Sequence, residues 1–128
     1  MICLLDTCAF VWLCAEPARL SETARGIIDD SGTELALADV SVLELALKWR
    51  AGKIALPEPP RVWVERQTAI WAIRALPLLR EHMYRTCELP EHHRDPFDRL
   101  LIAAALAAGA TIVTPDPAIH RYPVSWRW

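Results

Sequence analysis

The chain has 128 residues, of which 53% are hydrophobic and 23% charged, with a formal net charge of −2. That is one domain's worth of sequence, able to bury its own core and too apolar for a disordered segment. The charge balance excludes a globally basic nucleic-acid binder, so any contact with a polyanion must come from locally placed basic residues. No apolar run is long enough to span a bilayer and no basic segment of a secretory leader opens the sequence, so a cytoplasmic protein with no membrane association is expected. Four cysteines (Cys3, Cys8, Cys14 and Cys87) form no C-x-x-C pair, and three lie in apolar segments, as free thiols packed as small hydrophobes would.

In chain order, Ile2–Leu5 is a short apolar run, the mark of a strand buried on both faces. A helix is expected over about Cys8–Cys14, ending near Pro17. Ser21 is placed to cap a helix running through Asp30, closed by Ser31-Gly32. Leu35–Ala38 repeats the buried-strand pattern, and Ser41 opens a helix to about Arg50, with Gly52 as its stop. Past the proline-rich Pro57–Pro60, an amphipathic segment spans Arg61 to about Trp71, followed by a short strand at Ile73–Ala75 and a helix at Leu78–Cys87. Pro96 begins the clearest helix: Phe97, Leu100, Leu101, Ala104, Ala105 and Ala108 recur at three- and four-residue spacing, and Gly109 ends the run. Ala110–Val113 and Val124–Trp126 complete the strands, the latter at an edge.

Strands alternating with helices predict an α/β fold: a mostly parallel sheet covered on both faces, in one domain spanning residues 1–128. Sites in such sheets lie beyond the C-terminal ends of the strands, where the strand order reverses. Acidic residues cluster at those positions. Asp6 follows the first strand directly, Glu44 lies in the first turn of the helix after the second, and Asp116 comes three residues after Val113. Asp95 and Asp98 bracket the start of the alanine-rich helix. Each also has a purely structural explanation. Ser41-Val42-Leu43-Glu44 fits a capping box, Glu44 and Lys48 form an i,i+4 pair, and Asp6, Asp95 and Asp116 precede helices as caps. Asp98 suits the positive end of a helix dipole.

The acids taken together carry the functional expectation. Carboxylates brought to one sheet edge repel, and at neutral pH something must neutralise them. No histidine or cysteine has zinc-like spacing, and the adjacent His92-His93 fall in a loop. An all-oxygen donor set suits Mg²⁺ or Mn²⁺, cations that support phosphodiester hydrolysis.

The motifs Leu4-Leu5-Asp6-Thr7, Ser41-Val42-Leu43-Glu44-Leu45 with Lys48 and Gly52-Lys53, Arg94-Asp95-Pro96-Phe97-Asp98-Arg99-Leu100-Leu101-Ile102-Ala103 and Val113-Thr114-Pro115-Asp116 occur in this order across nearly the whole chain. This pattern resembles the PIN-domain family, and within it the VapC toxins of bacterial type II toxin–antitoxin systems. The resemblance implies a three-layer α/β/α sandwich and Mg²⁺-dependent endoribonuclease activity, with Mn²⁺ as a possible substitute. It also implies a homodimer and neutralisation by a small VapB-type antitoxin. Carried over, it makes Asp6, Glu44, Asp98 and Asp116 the catalytic and metal-holding acids. Thr114 matches the hydroxyl residue before the fourth acid, and Pro115 departs from the common pattern there. Thr7, Lys48, Arg99 and Thr114 are the expected contacts to RNA, with Arg50, Lys53 and Arg94 as further basic neighbours.

Other classes fit less well. A response-regulator phosphoacceptor domain wants adjacent acids after the first strand and a lysine after the last core strand, yet no lysine follows Lys53. A haloacid-dehalogenase-like phosphatase needs an acid where Cys8 stands. A non-catalytic module that captures a partner or RNA with the same pocket remains as the alternative. The six tryptophans (Trp12, Trp49, Trp63, Trp71, Trp126 and Trp128) are expected in core and interface packing, with Trp63 and Trp71 on one helical stripe.

Overall fold

The computed structural model describes residues 1–128. Five strands form one parallel sheet: β1 (Ile2–Leu5), β2 (Glu34–Ala38), β3 (Arg74–Leu76), β4 (Thr111–Val113) and β5 (Trp126–Arg127), in the order β3-β2-β1-β4-β5. The order reverses between β1 and β4, so the crevice expected of an open parallel sheet opens past Leu5 and Val113, which are paired in register. Seven helices cover the sheet: α1 (Thr7–Ala15), α2 (Glu22–Asp29), α3 (Asp39–Arg50), α4 (Pro60–Ile70), α5 (Arg80–Thr86), α6 (Pro96–Ala108) and α7 (Pro117–His120).

The alternation along β1 explains why the strand reads as an unbroken apolar run. Cys3 and Leu5 join one core with Phe10, Leu37, Leu45 and Trp63; Leu4 joins a second core, on the opposite face, with Ala36, Ile102, Ile112 and Tyr122. Every residue of such a strand must be apolar, because both faces exclude water. On the first face, Phe10 and Trp63 meet edge-on with ring centroids 5.6 Å apart. On the second, Leu101, Ile102 and Ala105 of α6 pack into the core, and Ala103 and Ala104 of the same helix are also buried. Gly109 closes α6 at φ 62°, the left-handed conformation that glycine adopts most readily.

Most expected elements lie within two residues of their observed bounds. Ser21 caps α2 by accepting from the Ala24 N–H at 3.0 Å. The start of α3 is a correction. The helix begins at Asp39, directly out of β2, with Ala38 as its N-cap and no side-chain cap. Ser41 is therefore inside the first turn and 4% exposed, and the capping box with Glu44 does not form. Trp63 and Trp71 also part company: Trp63 is in the core, whereas α4 ends at Ile70 and leaves Trp71 beyond it on the surface. All four cysteines are free, and Cys87 is exposed rather than packed. No helix is long and apolar enough to cross a membrane.

Candidate functional site

Four separate segments deliver carboxylates to one cleft of about 160 Å³ at the C-terminal edge of the sheet. Asp6 arrives from the end of β1, Glu44 from α3, Asp95 and Asp98 from the start of α6, and Asp116 from the turn after β4. Thr7, Cys8, Ser41, Lys48, Phe97 and Leu101 complete the walls. Five acids thus face a single cation, Lys48.

The capping and site roles of these acids coexist. Asp6 Oδ1 accepts from the Ala9 N–H at 2.7 Å and so caps α1. Asp95 Oδ1 accepts from the N–H groups of Phe97 and Asp98 at the head of α6, and Asp116 Oδ1 from that of Ala118 at the head of α7. Each cap contributes about 1 kcal/mol to its helix. Capping by one oxygen leaves a carboxylate with a second. With β1 and β4 adjacent, it is the caps themselves that bring Asp6 and Asp116 to the same edge.

Glu44 is held differently. Its position on α3 places it one turn from Ser41 and one from Lys48, on the face turned to the cleft. Thr7 Oγ1 donates to Glu44 Oε1, and Lys48 Nζ lies 3.4 Å from Oε2. Asp98 has one side-chain partner, His93, whose Nε2 lies 3.0 Å from Oδ2. The loop histidine pair thus supplies a site neighbour that sequence spacing does not reveal.

The electrostatics of the cleft are those of a site short of positive charge. Burial pushes the Asp6 carboxyl above its ordinary range; hydrogen bonds from Thr114, Ala9 and Cys8 oppose the shift, and the Asp116 charge adds to it. Burial likewise raises Asp98, to about 6; the His93 hydrogen bond counteracts part of this, while Asp95, Asp116 and Glu44 push it further. The Cys8 thiol is driven up by burial and then by the neighbouring Asp6 charge, so it is no thiolate nucleophile. A ligand that brings positive charge among these oxygens relieves all of these penalties at once.

The expected substrate contacts divide. Thr7 and Lys48 line the cleft. Lys48 also borders an adjoining groove of about 590 Å³ with Leu47, Lys53, Pro96 and Phe97, so the cleft continues onto a surface carrying two lysines. Thr114 is fully buried; its hydroxyl accepts from the Asp116 N–H at 3.0 Å and supports Asp6, which makes it a brace for two acids. Pro115 is accommodated in that braced turn, with His120 Nε2 2.8 Å from the Thr114 carbonyl oxygen. Arg99 does not reach the cleft. Its guanidinium donates to the carbonyls of Thr86 and Pro90 at 2.7 Å and to the Tyr122 hydroxyl at 2.9 Å, stitching the end of α5 and the loop after it to α6.

Comparison with known proteins agrees with this architecture. Residues 3–124 match the PIN domain family. The chain belongs to the PIN-domain family. It is 33% identical over 123 residues to Ribonuclease VapC22 of Mycobacterium tuberculosis, which covers 94% of this chain and 92% of that protein. Among solved structures, it resembles a chain of VapBC2 from Rickettsia felis bound to a DNA fragment from their promoter (TM-score 0.73, 16% identity, 99% of this chain and 98% of that one). It also resembles a chain of FitAcB from Neisseria gonorrhoeae (TM-score 0.62, 22% identity, 98% and 96% covered). At those identities the structural likeness establishes the PIN fold.

Proposed function

We propose that this chain is a metal-dependent endoribonuclease and the toxin of a VapBC-type toxin–antitoxin pair. One observation carries the proposal: Asp6, Glu44, Asp98 and Asp116 come from four segments into one cleft at the strand-order reversal, with Asp6 and Asp98 resisting ionisation. The 33% identity to a protein named a ribonuclease, over nearly the full length of both chains, supports RNA as the substrate class. Likeness to chains of VapBC2 and FitAcB supports a VapB-type antitoxin as partner. A homodimer, Mg²⁺ or Mn²⁺ as cofactor and a cytoplasmic location belong to the same proposal.

The donor set fits a hard divalent cation. Every titratable group lining the cleft apart from Lys48 and the neutral Cys8 is a carboxylate, and oxygen ligands suit Mg²⁺ and Mn²⁺. No three acidic, histidine or cysteine side chains are already gathered around a common point. Mg²⁺ takes only one or two protein carboxylates directly and retains much of its water, so a loosely arranged acidic cleft suits it better than a tight cage. Asp6 and Asp98 would hold the ion, with Glu44 and Asp116 directly or through water. When bound, such an ion activates water and stabilises charge on a phosphodiester.

The chain's own residues supply positioning and charge. Thr7 orients Glu44, Thr114 holds the Asp116 turn, and Lys48 offers a cation to a phosphate entering from the groove, at the cost of its pairing with Glu44. The test is cleavage of a mixed structured-RNA pool by purified, antitoxin-free protein with Mg²⁺, with Mn²⁺ and with EDTA, beside Asp6→Ala. Discrete products requiring both metal and Asp6 are expected. Metal-independent products, or full activity in Asp6→Ala, would overturn the proposal.

A further inference from the structure

The carboxylates of the cleft differ in what aims them. Asp6, Asp95 and Asp116 are fixed by N–H groups of their own helices, and Glu44 by Thr7 and Lys48. Asp98 alone depends on a side chain from a loop, His93. Behind His93 the contacts continue. Its Nδ1 lies 2.7 Å from the Tyr122 hydroxyl, and that hydroxyl is 2.9 Å from Arg99 Nη1. Tyr122 is 4% exposed, and Arg99 is itself anchored on the Thr86 and Pro90 carbonyls.

Donor counting gives this chain a direction. Arg99 can only donate, so the Tyr122 oxygen accepts from it. The His93 backbone N–H also points at that oxygen, at 3.3 Å. The Tyr122 proton then needs an acceptor, and the His93 Nδ1 at 2.7 Å is far better placed than the His93 carbonyl at 3.4 Å. A neutral imidazole accepting at Nδ1 carries its proton on Nε2, the nitrogen that faces Asp98. All donors therefore point toward the cleft: Arg99 to Tyr122, Tyr122 to His93, His93 to Asp98.

We propose that His93 is a positioning residue for the acidic cleft: held in its Nε2–H tautomer by the Arg99–Tyr122 pair, it donates to Asp98 Oδ2 and leaves Oδ1 directed to the ligand. The role rests on the nuclease function proposed above. An outer partner of this kind fixes which oxygen of a ligating carboxylate is free and in which rotamer. It also accounts for Arg99 and Tyr122, which lie outside the cleft and yet are spent on one hydrogen-bond chain leading into it.

Two readouts independent of RNA cleavage test the role. Nitrogen-15 NMR of the metal-free protein at mildly alkaline pH reports the His93 tautomer. The Nε2–H form is expected in the wild type, where the Tyr122 hydroxyl donates to Nδ1 and Asp98 accepts from Nε2. Calorimetric titration with Mn²⁺ is expected to show affinity falling roughly 10–100-fold in His93→Ala, as removal of a partner behind a ligand does. His93→Gln, which carries an amide N–H at about the reach of Nε2, should recover much of it. In RNA cleavage, kcat should fall in His93→Ala with KM unchanged. An Nδ1–H tautomer in the wild type, or unaltered Mn²⁺ affinity and kcat in a folded His93→Ala, would overturn the role. Wild-type protein that fails to bind Mn²⁺ would overturn the proposed nuclease function and this role with it.

Discussion

Asp98 and Arg99 are neighbours in the first turn of α6, and they look into two regions built on opposite terms. The cleft on the Asp98 side holds five carboxylates and one lysine, so its charges outnumber their partners. The knot on the Arg99 side holds one guanidinium whose donors end on the Thr86 carbonyl at the end of α5, the Pro90 carbonyl of the loop that follows, and Tyr122. The first region costs stability and keeps its oxygens available; the second spends its hydrogen bonds on the fold. Charge held partly out of water thus marks function where it is under-paired and architecture where it is satisfied. His93 and Tyr122 lie between the two and join them.

The contrast breaks most sharply under substitution of its two namesakes. Asp98→Asn should cut RNA cleavage by roughly 10³-fold or more, since a lost ion contact removes several kcal/mol of transition-state stabilisation. The same variant, free of metal, should be more stable than the wild type in urea titrations at pH 7. Arg99→Met should do the reverse in stability, with a loss on the order of 2–4 kcal/mol from stranded loop carbonyls.

The pH dependence sharpens the same comparison. The Asp98 carboxyl rises from 3.8 to about 6 in the folded protein, so the fold prefers its protonated form. Its stabilising contribution is complete below about pH 4 and is lost as pH rises through about 6. Metal-free wild type should therefore lose stability relative to Asp98→Asn across that window, and saturating Mg²⁺ should reverse the loss above pH 6. Equal pH slopes in the two proteins would contradict this. The smallest effect belongs to Lys48→Met, which should raise KM for RNA about tenfold and flatten its salt dependence by one phosphate contact.

Much of the fold was legible because burial on both faces leaves little freedom in composition: Ile2–Leu5 and Leu35–Ala38 have no other reading as strands. Asp95-Pro96 and Gly109 likewise bracket α6 by local backbone rules. Asp6, Glu44, Asp98 and Asp116 were also legible as a group, because strand ends in a parallel sheet converge. What escaped depends on distant contacts. His93 sits in a loop whose path is set by Arg99 and by Tyr122, 29 residues further on, and no local pattern announces that. The same distance hides Arg99's true surroundings, since an arginine beside a site acid reads as a phosphate contact until the loop carbonyls are placed around it. Ser41 was misread as a cap because β2 runs into α3 without a loop, which moves the helix start back to Asp39 and turns Ser41 into a cleft wall.

The most direct test is thermal unfolding of wild type and Asp98→Asn at pH 7, each with and without saturating Mn²⁺. The expected result is a metal-free variant that melts above the metal-free wild type, with Mn²⁺ raising the wild type and moving the variant little, because ligand binding stabilises only a protein that binds it. A variant that melts below the wild type without metal, and that gains as much from Mn²⁺, would contradict an under-paired acidic cleft built to hold a cation.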